Sequence, residues 1–498
     1  MFDLTVGTQM LILFGVLLVI RIPVAFSLGL SAIYAMWQMG FGLDLVGDLI
    51  SSGIAKFSLL AIPFFILAGI LMGMAGLADR MIRFFRVLMG SLPGGMGVVG
   101  VVVGLFWGAV SGSGPASVAA IGPMIMRGMT EDGYSRAYSA ALVCTGAALS
   151  IVIPPSIGLV IYGVIAEVSI GSLFIAAILP GMVMGVMMLL TLPFAKRGPK
   201  QIPAALMGQE ARDEAPWGQQ LWTSFLEAFW GLLTPVVILG GIYSGIFTPT
   251  EAAIVAAVYA IVLGFFVYRT LTIARLLEAV SDAARSSAVV MMVVTFASLF
   301  GWVVTVDDVV GHYSQALLSF SHSPFMILIV IGLVLLIAGM FMDAITIMFI
   351  TLPIFLPVVR EMGWDPIWFG IFMVLVVEMA QITPPVGFNL FVLQNMSGKD
   401  TWTVAKAAFP FFILLNVAVF IITTFPQIVL YLPKLLALIL ALKDSELRKG
   451  CGGTVGLFKS VLAETFVSML LSPIMMLIQS RVVADVMIGR DSGWNAQN

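Results

Sequence analysis

The sequence predicts an all-α polytopic membrane protein made of two inverted repeats, and three observations carry that prediction. Of its 498 residues 60% are hydrophobic and 10% charged, at a mean hydropathy of +1.10; soluble domains carry roughly 25% charged residues. The apolar runs are long and continuous, as transmembrane helices require, and lack the short alternating segments of a membrane β-barrel. Landmarks also recur at one offset: Pro123 and Pro353, Gly133 and Gly363, Tyr134 and Trp364, and the pairs Pro154-Pro155 and Pro384-Pro385 are each 230 residues apart. At about 20 residues per span, the length allows roughly a dozen helical elements, some of them re-entrant.

The chain opens on Met1-Phe2-Asp3 and its first cation is Arg21. A cleaved signal peptide has a basic leading region, so the opening segment reads as a retained span. Residues from about Gly7 to Gln38 make one or two spans, interrupted at Arg21-Ile22-Pro23. A second apolar run covers Lys56 to Gly76. Arg80, Arg83 and Arg86 then fall at spacings of three, on one helical face opposite aromatics. That pattern fits an interfacial helix or a solvated connecting helix, at a membrane surface in either case.

Gly94 to Val110 leads into Ser111-Gly112-Ser113-Gly114-Pro115-Ala116-Ser117, a run of small polar residues inside apolar sequence. Non-helical backbone survives at that depth only when buried in protein or lining a cavity. Gly112 and Gly114 permit a tight reversal, Ser113 can cap a new helix, and Pro115 suits its first turn. Such a helix start suits a carboxylate; a close-packed small-residue contact is the alternative. The polar turn Gly128 to Arg136 follows, and Ala137 to Ile153 returns to the first diproline.

Lys196 to Gln220 is the one sizeable polar linker in mid-chain, and its Lys196, Arg197, Lys200 and Arg212 make it a cytoplasmic candidate. It separates a first repeat (1–195) from a second (221–431), with an atypical extension at 432–498. In the second repeat Thr248-Pro249-Thr250-Glu251 fits a capping box. Asp343 stands where the second re-entrant tip is expected, and can cap a helix starting at Ala344, bind a cation or carry a proton. Glu378 fits a hydrogen bond across helices as well as it fits transport. The turn after the first hairpin carries Arg127 and Arg136, whereas its counterpart has Arg360 beside Glu361. This cation bias places the first turn inside and the second outside, hence an inverted arrangement.

Paired interrupted segments in two halves point to a secondary transporter's midplane site. In helical register Pro154 and Pro155 free the carbonyls of Ser150 and Ile151, and Pro384 and Pro385 those of Ala380 and Gln381. With the hydroxyls of Ser156 and Thr383 nearby, these suit a hard cation such as sodium; proline kinks re-satisfied by neighbours are the alternative. A formal charge of −2 gives no hint of a nucleic-acid partner, and Cys144, Cys451, His312 and His322 make neither a disulfide framework nor a metal cluster. No phosphate loop is present, since Gly398-Lys399 has Leu393 where the earlier glycine belongs.

Ser111 to Gly122, Ile62-Pro-Phe-Phe-Ile-Leu-Ala-Gly69, Ile153-Pro-Pro-Ser156, Thr248-Pro-Thr-Glu-Ala-Ala253 and Thr383-Pro-Pro-Val-Gly-Phe-Asn389 together resemble the large membrane subunit of tripartite ATP-independent periplasmic (TRAP) transporters, in order over about residues 1–430. The resemblance implies a non-enzymatic, elevator-type carrier of the bacterial inner membrane, with a transport domain sliding against a scaffold. It implies sodium-driven uptake of a carboxylate-bearing solute, a C4-dicarboxylate, sugar acid or similar. A periplasmic substrate-binding protein would deliver the solute, a small four-helix membrane subunit would brace the scaffold, and no cofactor beyond sodium would be needed. The solute candidates are then Ser111, Gly112, Ser113, Gly114 and Pro115 at the first tip, Asp343 and Thr346 at the second, and Asn389. The sodium candidates are Ser113, Ser150, Ile151, Pro154, Pro155 and Ser156 in one half, with Ala380, Gln381, Thr383, Pro384, Pro385 and Gly387 in the other.

From about Leu432 the text changes character. Leu457 to Thr465, Met475 to Arg481 and Gly489 to Gln497 resemble a membrane segment of a periplasmic-glucan glucosyltransferase, which points to a fusion. The chain has no Asp-x-Asp and no Gln-x-x-Arg-Trp, so catalytic parts of such an enzyme are missing from it. A glycosyltransferase fragment or fusion without transport activity is the alternative function.

Overall fold

A computed structural model describes residues 5–195, 216–307, 324–384 and 387–426, with the single positions 198 and 429. The described residues form α-helices, short 3₁₀ and π turns and no β-strand. Seven helices among them are long and apolar enough to cross a membrane. The opening segment, expected as one or two spans, is two helices, α1 (Val6–Val19) and α2 (Val24–Gln38), with Pro23 at the start of the second. The N-terminus of α1 is held by Asp307, whose Oδ2 accepts the Gly7 N–H at 2.6 Å.

After α3 (Leu43–Ile54) and α4 (Ala61–Met74) comes α5 (Leu77–Met89), the arginine helix. It buries Leu77, Ala78, Met81, Ile82 and Phe85 and turns Arg83 and Arg86 outward. Then α6 (Met96–Ser111) and α7 (Gly114–Glu131) form a hairpin. The return limb is broken into α8 (Arg136–Ala148), a 3₁₀ turn at Leu149–Ile151, and α9 (Ile157–Ala166). α10 (Ile170–Leu189) ends this half.

The second half runs α11 (Trp217–Tyr243), α12 (Pro249–Val262), α13 (Ile273–Val306), α14 (Pro324–Gly339), α15 (Ala344–Glu361), α16 (Pro366–Gln381), α17 (Phe388–Ser397) and α18 (Thr401–Thr424). The sequence offset reappears in the helix boundaries. α7 and α15 each have 18 residues and lie 230 apart at both ends. α8 and α16 start 230 apart, and internal prolines of α10 and α18, Pro180 and Pro410, match at the same offset. The halves differ where α3 and α4 face one unbroken α13. Pro63 stands in the first turn of α4, and its counterpart 230 residues on is Val293, inside α13. A proline cannot donate to the preceding turn and disfavours helix in the residue before it, so only the first half is interrupted there.

Between helices in lipid there is no hydrophobic driving force, and small residues allow the close approach that packing needs. α6 meets α8 and the 3₁₀ turn after it in this way: a Cβ on Gly104 would lie 3.4 Å from the Cα of Gly146, and one on Gly108 would lie 2.9 Å from that of Ser150. Buried side chains run along α8 from Ser139 to Ala148 and along α16 from Trp368 to Gln381. α11 and α13 by contrast present exposed Leu226, Val236, Leu277 and Val289, an apolar surface suited to acyl chains.

The capping box forms as read: Thr248 Oγ1 accepts the Glu251 N–H at 3.3 Å, and Glu251 accepts the Thr248 N–H at 2.8 Å. Trp217 to Gln220, expected in the linker, already belong to α11. The rest of the linker except Pro216 and Gly198, together with Asp308, both histidines, Cys451 and the extension from 432 onward, lies outside the described residues.

Candidate functional site

Each tip packs on the break of its own half. At the first, α6 stops at Ser111, Gly112 takes the left-handed conformation (φ 59°), and α7 begins at Gly114 with Pro115 in its first turn. A Cβ on Gly112 would lie 3.2 Å from the carbonyl oxygen of Pro155 and 3.4 Å from the backbone nitrogen of Ile157. Glycine is therefore required there both by conformation and by contact. Ser113 sits at the N-cap position with extended backbone, but its side chain makes no capping bond, contrary to the sequence expectation. Ser111 Oγ instead donates to the Ser113 carbonyl at 3.3 Å.

The second tip is capped by Asp343. Its Oδ2 accepts the N–H groups of Ile345 (3.1 Å) and Thr346 (3.2 Å), and its Oδ1 the Thr346 hydroxyl at 2.6 Å. Of the three roles open to Asp343, capping is the one its contacts display. The tip is tied to the broken helix: Gln381 Nε2 donates to the Met342 carbonyl at 2.9 Å, and the Gly387 N–H to that of Met340 at 3.2 Å.

The breaks free fewer carbonyls than the prolines suggest. That of Ile151 accepts the Ser156 hydroxyl, which also caps α9 by accepting the Leu159 N–H at 3.3 Å. That of Ala380 accepts the Thr383 N–H at 3.0 Å, while the Thr383 hydroxyl donates back to Met379 at 2.7 Å. Short local turns re-satisfy backbone that a straight proline-interrupted helix would leave open. Ser150 is joined to α7 by a 2.7 Å hydroxyl bond to Ser117, a residue the sequence reading did not single out. In the second half a Cβ on Gly387 would lie 2.9 and 3.0 Å from the carbonyl oxygens of Thr383 and Gln381, and 2.9 Å from the Leu390 Cδ1 methyl. Carbonyl oxygens are the donor type a hard cation takes. Pro385 and the side chain of Pro115 lie outside the described residues.

The halves meet at Asn389, in the first turn of α17. Its Oδ1 and Nδ2 lie 3.1 and 3.2 Å from where a Gly114 Cβ would stand, and the Ala147 carbonyl lies 3.4 Å from the same point. Asn389 is 1% exposed, and neither polar side-chain atom has a hydrogen-bond partner. A buried amide without partners is costly, and this one faces the first turn of α7, where backbone N–H groups have no partner within the helix. Glu378, one turn before Gln381, is also buried with neither carboxylate oxygen bonded, so the cross-helix hydrogen bond considered for it is not formed among the described residues.

Residues 11–428 match the family described as "Tripartite ATP-independent periplasmic transporter, DctM component". The chain belongs to this family. It is 39% identical over 417 residues to an isethionate TRAP transporter permease protein of Oleidesulfovibrio alaskensis, covering 83% of this chain and 64% of that one. Identity is 40% over 383 residues to a C4-dicarboxylate TRAP transporter large permease protein of Pseudomonas aeruginosa (77% and 87%). To a sialic acid TRAP transporter large permease protein of Vibrio cholerae it is 33% over 422 residues (84% and 96%). These relatives are transporter permeases, in keeping with the non-enzymatic reading. The fold resembles the Alcanivorax borkumensis YdaH transporter, at a TM-score of 0.55 and 13% identity over 76% of this chain and 86% of that one. For a DctM-type chain the interrupted backbone at 111–115, 152–156, 340–346 and 382–384 thus lies within the part the family shares.

Proposed function

We propose that this chain is the carrier of a sodium-driven uptake system for a carboxylate-bearing organic solute. In this reading a periplasmic binding protein delivers the solute and a small membrane subunit braces the scaffold. The observation that carries it is the buried, unpartnered Asn389 amide at the start of α7, where a solute carboxylate would take the Nδ2 hydrogens and the free backbone N–H groups. Of the relatives named above, two are called after carboxylates of different skeletons (C4-dicarboxylate and sialic acid) and one after the sulfonate isethionate, so together they support an organic anion as the solute.

Sodium would be held by the Gln381 and Thr383 carbonyls beside Gly387, oxygen donors of the kind it takes, two of the about six ligands such cations gather. The first half offers the Ser117, Ser150 and Ser156 hydroxyls beside an already occupied Ile151 carbonyl, a poorer fit in this conformation. The two hairpins with α8–α10 and α16–α18 would move as the transport domain against α1–α4 and α11–α13, with halves inverted in the membrane. The boundaries 1–195, 196–220, 221–431 and 432–498 belong to this proposal.

Reconstitution of the chain with both partners tests it. The labelled acid bound by the cognate binding protein is expected to accumulate only under an inward sodium gradient. Equal accumulation with potassium replacing sodium, or without the binding protein, overturns the proposal.

A further inference from the structure

Away from the interrupted backbone, a cavity of about 740 Å³ opens between α5, α11 and the loop joining α12 to α13. Asp79, Arg80 and Arg83 line it from α5, Glu227 and Trp230 from α11, and Tyr268 and Thr270 from the loop. Arg80 is fixed in place: its guanidinium lies 4.0 Å from the Tyr268 ring centroid and donates to the Ala75 and Gly76 carbonyls at 2.8 Å. The Thr270 hydroxyl oxygen is buried and has no hydrogen-bond partner, while Arg275 holds the Thr270 carbonyl at 3.0 Å.

Arg83 pairs with Glu227 at 2.8 Å, but both side chains are open to solvent, at 62% and 45% exposure. An exposed pair contributes little, so Arg83 can exchange Glu227 for a better-placed anion. The setting is a membrane surface, since α5 is amphipathic and exposed Trp222 and Trp230 mark the aromatic level. The lining thus pairs a fixed cation and an exchangeable cation with two carboxylates, Asp79 and Glu227, above apolar walls, and the buried Thr270 hydroxyl lies behind them.

We infer that this cavity binds the phosphodiester headgroup of an anionic phospholipid, with Arg83, Arg80 and Thr270 on the phosphate and acyl chains along Leu226, Trp230 and Val267. Arg269 of the neighbouring loop and Arg275 in the first turn of α13 favour an anionic lipid over a zwitterionic one. The site is independent of the transport reading and can be tested without transport.

The purified full chain, delipidated and mixed with phosphatidylglycerol or phosphatidylcholine, is followed by native mass spectrometry and thermal unfolding. Phosphatidylglycerol is expected to stay bound and raise the unfolding temperature, and phosphatidylcholine to do so much more weakly. Arg83→Gln with Thr270→Val should lower phosphatidylglycerol retention, by about fivefold for the arginine alone. Arg86→Gln, outside the cavity on the same helix, should leave it unchanged. Glu227→Gln releases Arg83 without touching a phosphate ligand and should increase retention, which keeps the test decisive if the double variant misfolds. Equal retention of both lipids, loss of retention in Arg86→Gln, unchanged retention in the double variant, or equal stabilisation by glycerol phosphate overturns the proposal.

Discussion

Replacing Asn389 by leucine separates a binding amide from a structural one. Both polar atoms of Asn389 are buried and unpartnered, and they face a glycine. Burying an amide without a hydrogen bond costs about 1–3 kcal/mol on protein mutational scales. Leucine has similar volume and no polar atom, and the branched shape beside Gly114 costs about 1 kcal/mol of repacking. The solute-free protein should therefore be as stable as the parent or up to about 2 kcal/mol more stable, roughly 2–4 °C in the unfolding temperature. Solute binding should move the other way. One charge-assisted hydrogen bond is worth about 1.5–3 kcal/mol, so affinity should fall about 10- to 150-fold. Thermal unfolding of the purified chain gives the first number, and solute counterflow in proteoliposomes with both partners the second. Unfolding lowered by several degrees with counterflow intact would refute the reasoning, because the amide would then be serving the fold.

The contact of α6 with α8 and the 3₁₀ turn after it predicts a graded pair. Gly108→Ala places a Cβ 2.9 Å from the Ser150 Cα, a backbone atom that cannot step aside, whereas Gly104→Ala meets the Gly146 Cα at an ordinary 3.4 Å. Gly108→Ala should destabilise by about 1–3 kcal/mol and Gly104→Ala by far less, and equal unfolding temperatures would contradict the packing described. At the start of α18, the Thr403 hydroxyl (2.6 Å) and N–H (3.0 Å) hold the Asp400 carboxyl below its usual range. A lowered carboxylate contributes stability that is full above its unfolded value of about 4 and fades as pH falls through the lower folded value. The deficit of Asp400→Asn in unfolding temperature should therefore be constant near neutrality and shrink below about pH 4.

The membrane class, the duplication and the positions of the interruptions are legible in the amino-acid order alone, because these rest on local causes. Apolar runs set the spans, Pro63 breaks in one half what Val293 leaves whole, Gly112 allows the left-handed turn, and Thr248 with Glu251 caps α12 within four residues. Asp343 was placed at the second tip by the same local logic. Proline register alone overstates the free carbonyls, since a hydroxyl five residues on for Ile151 and an N–H three residues on for Ala380 close gaps it leaves open. Only the tertiary structure decided what faces what. It brought Asn389 of one half against Gly114 of the other, joined Ser117 to Ser150, and set Arg80 over Tyr268. Those pairs lie 33 to 275 residues apart in sequence. The choice among such partners depends on how helices from two halves pack, a property of the whole chain that no local pattern of residues contains.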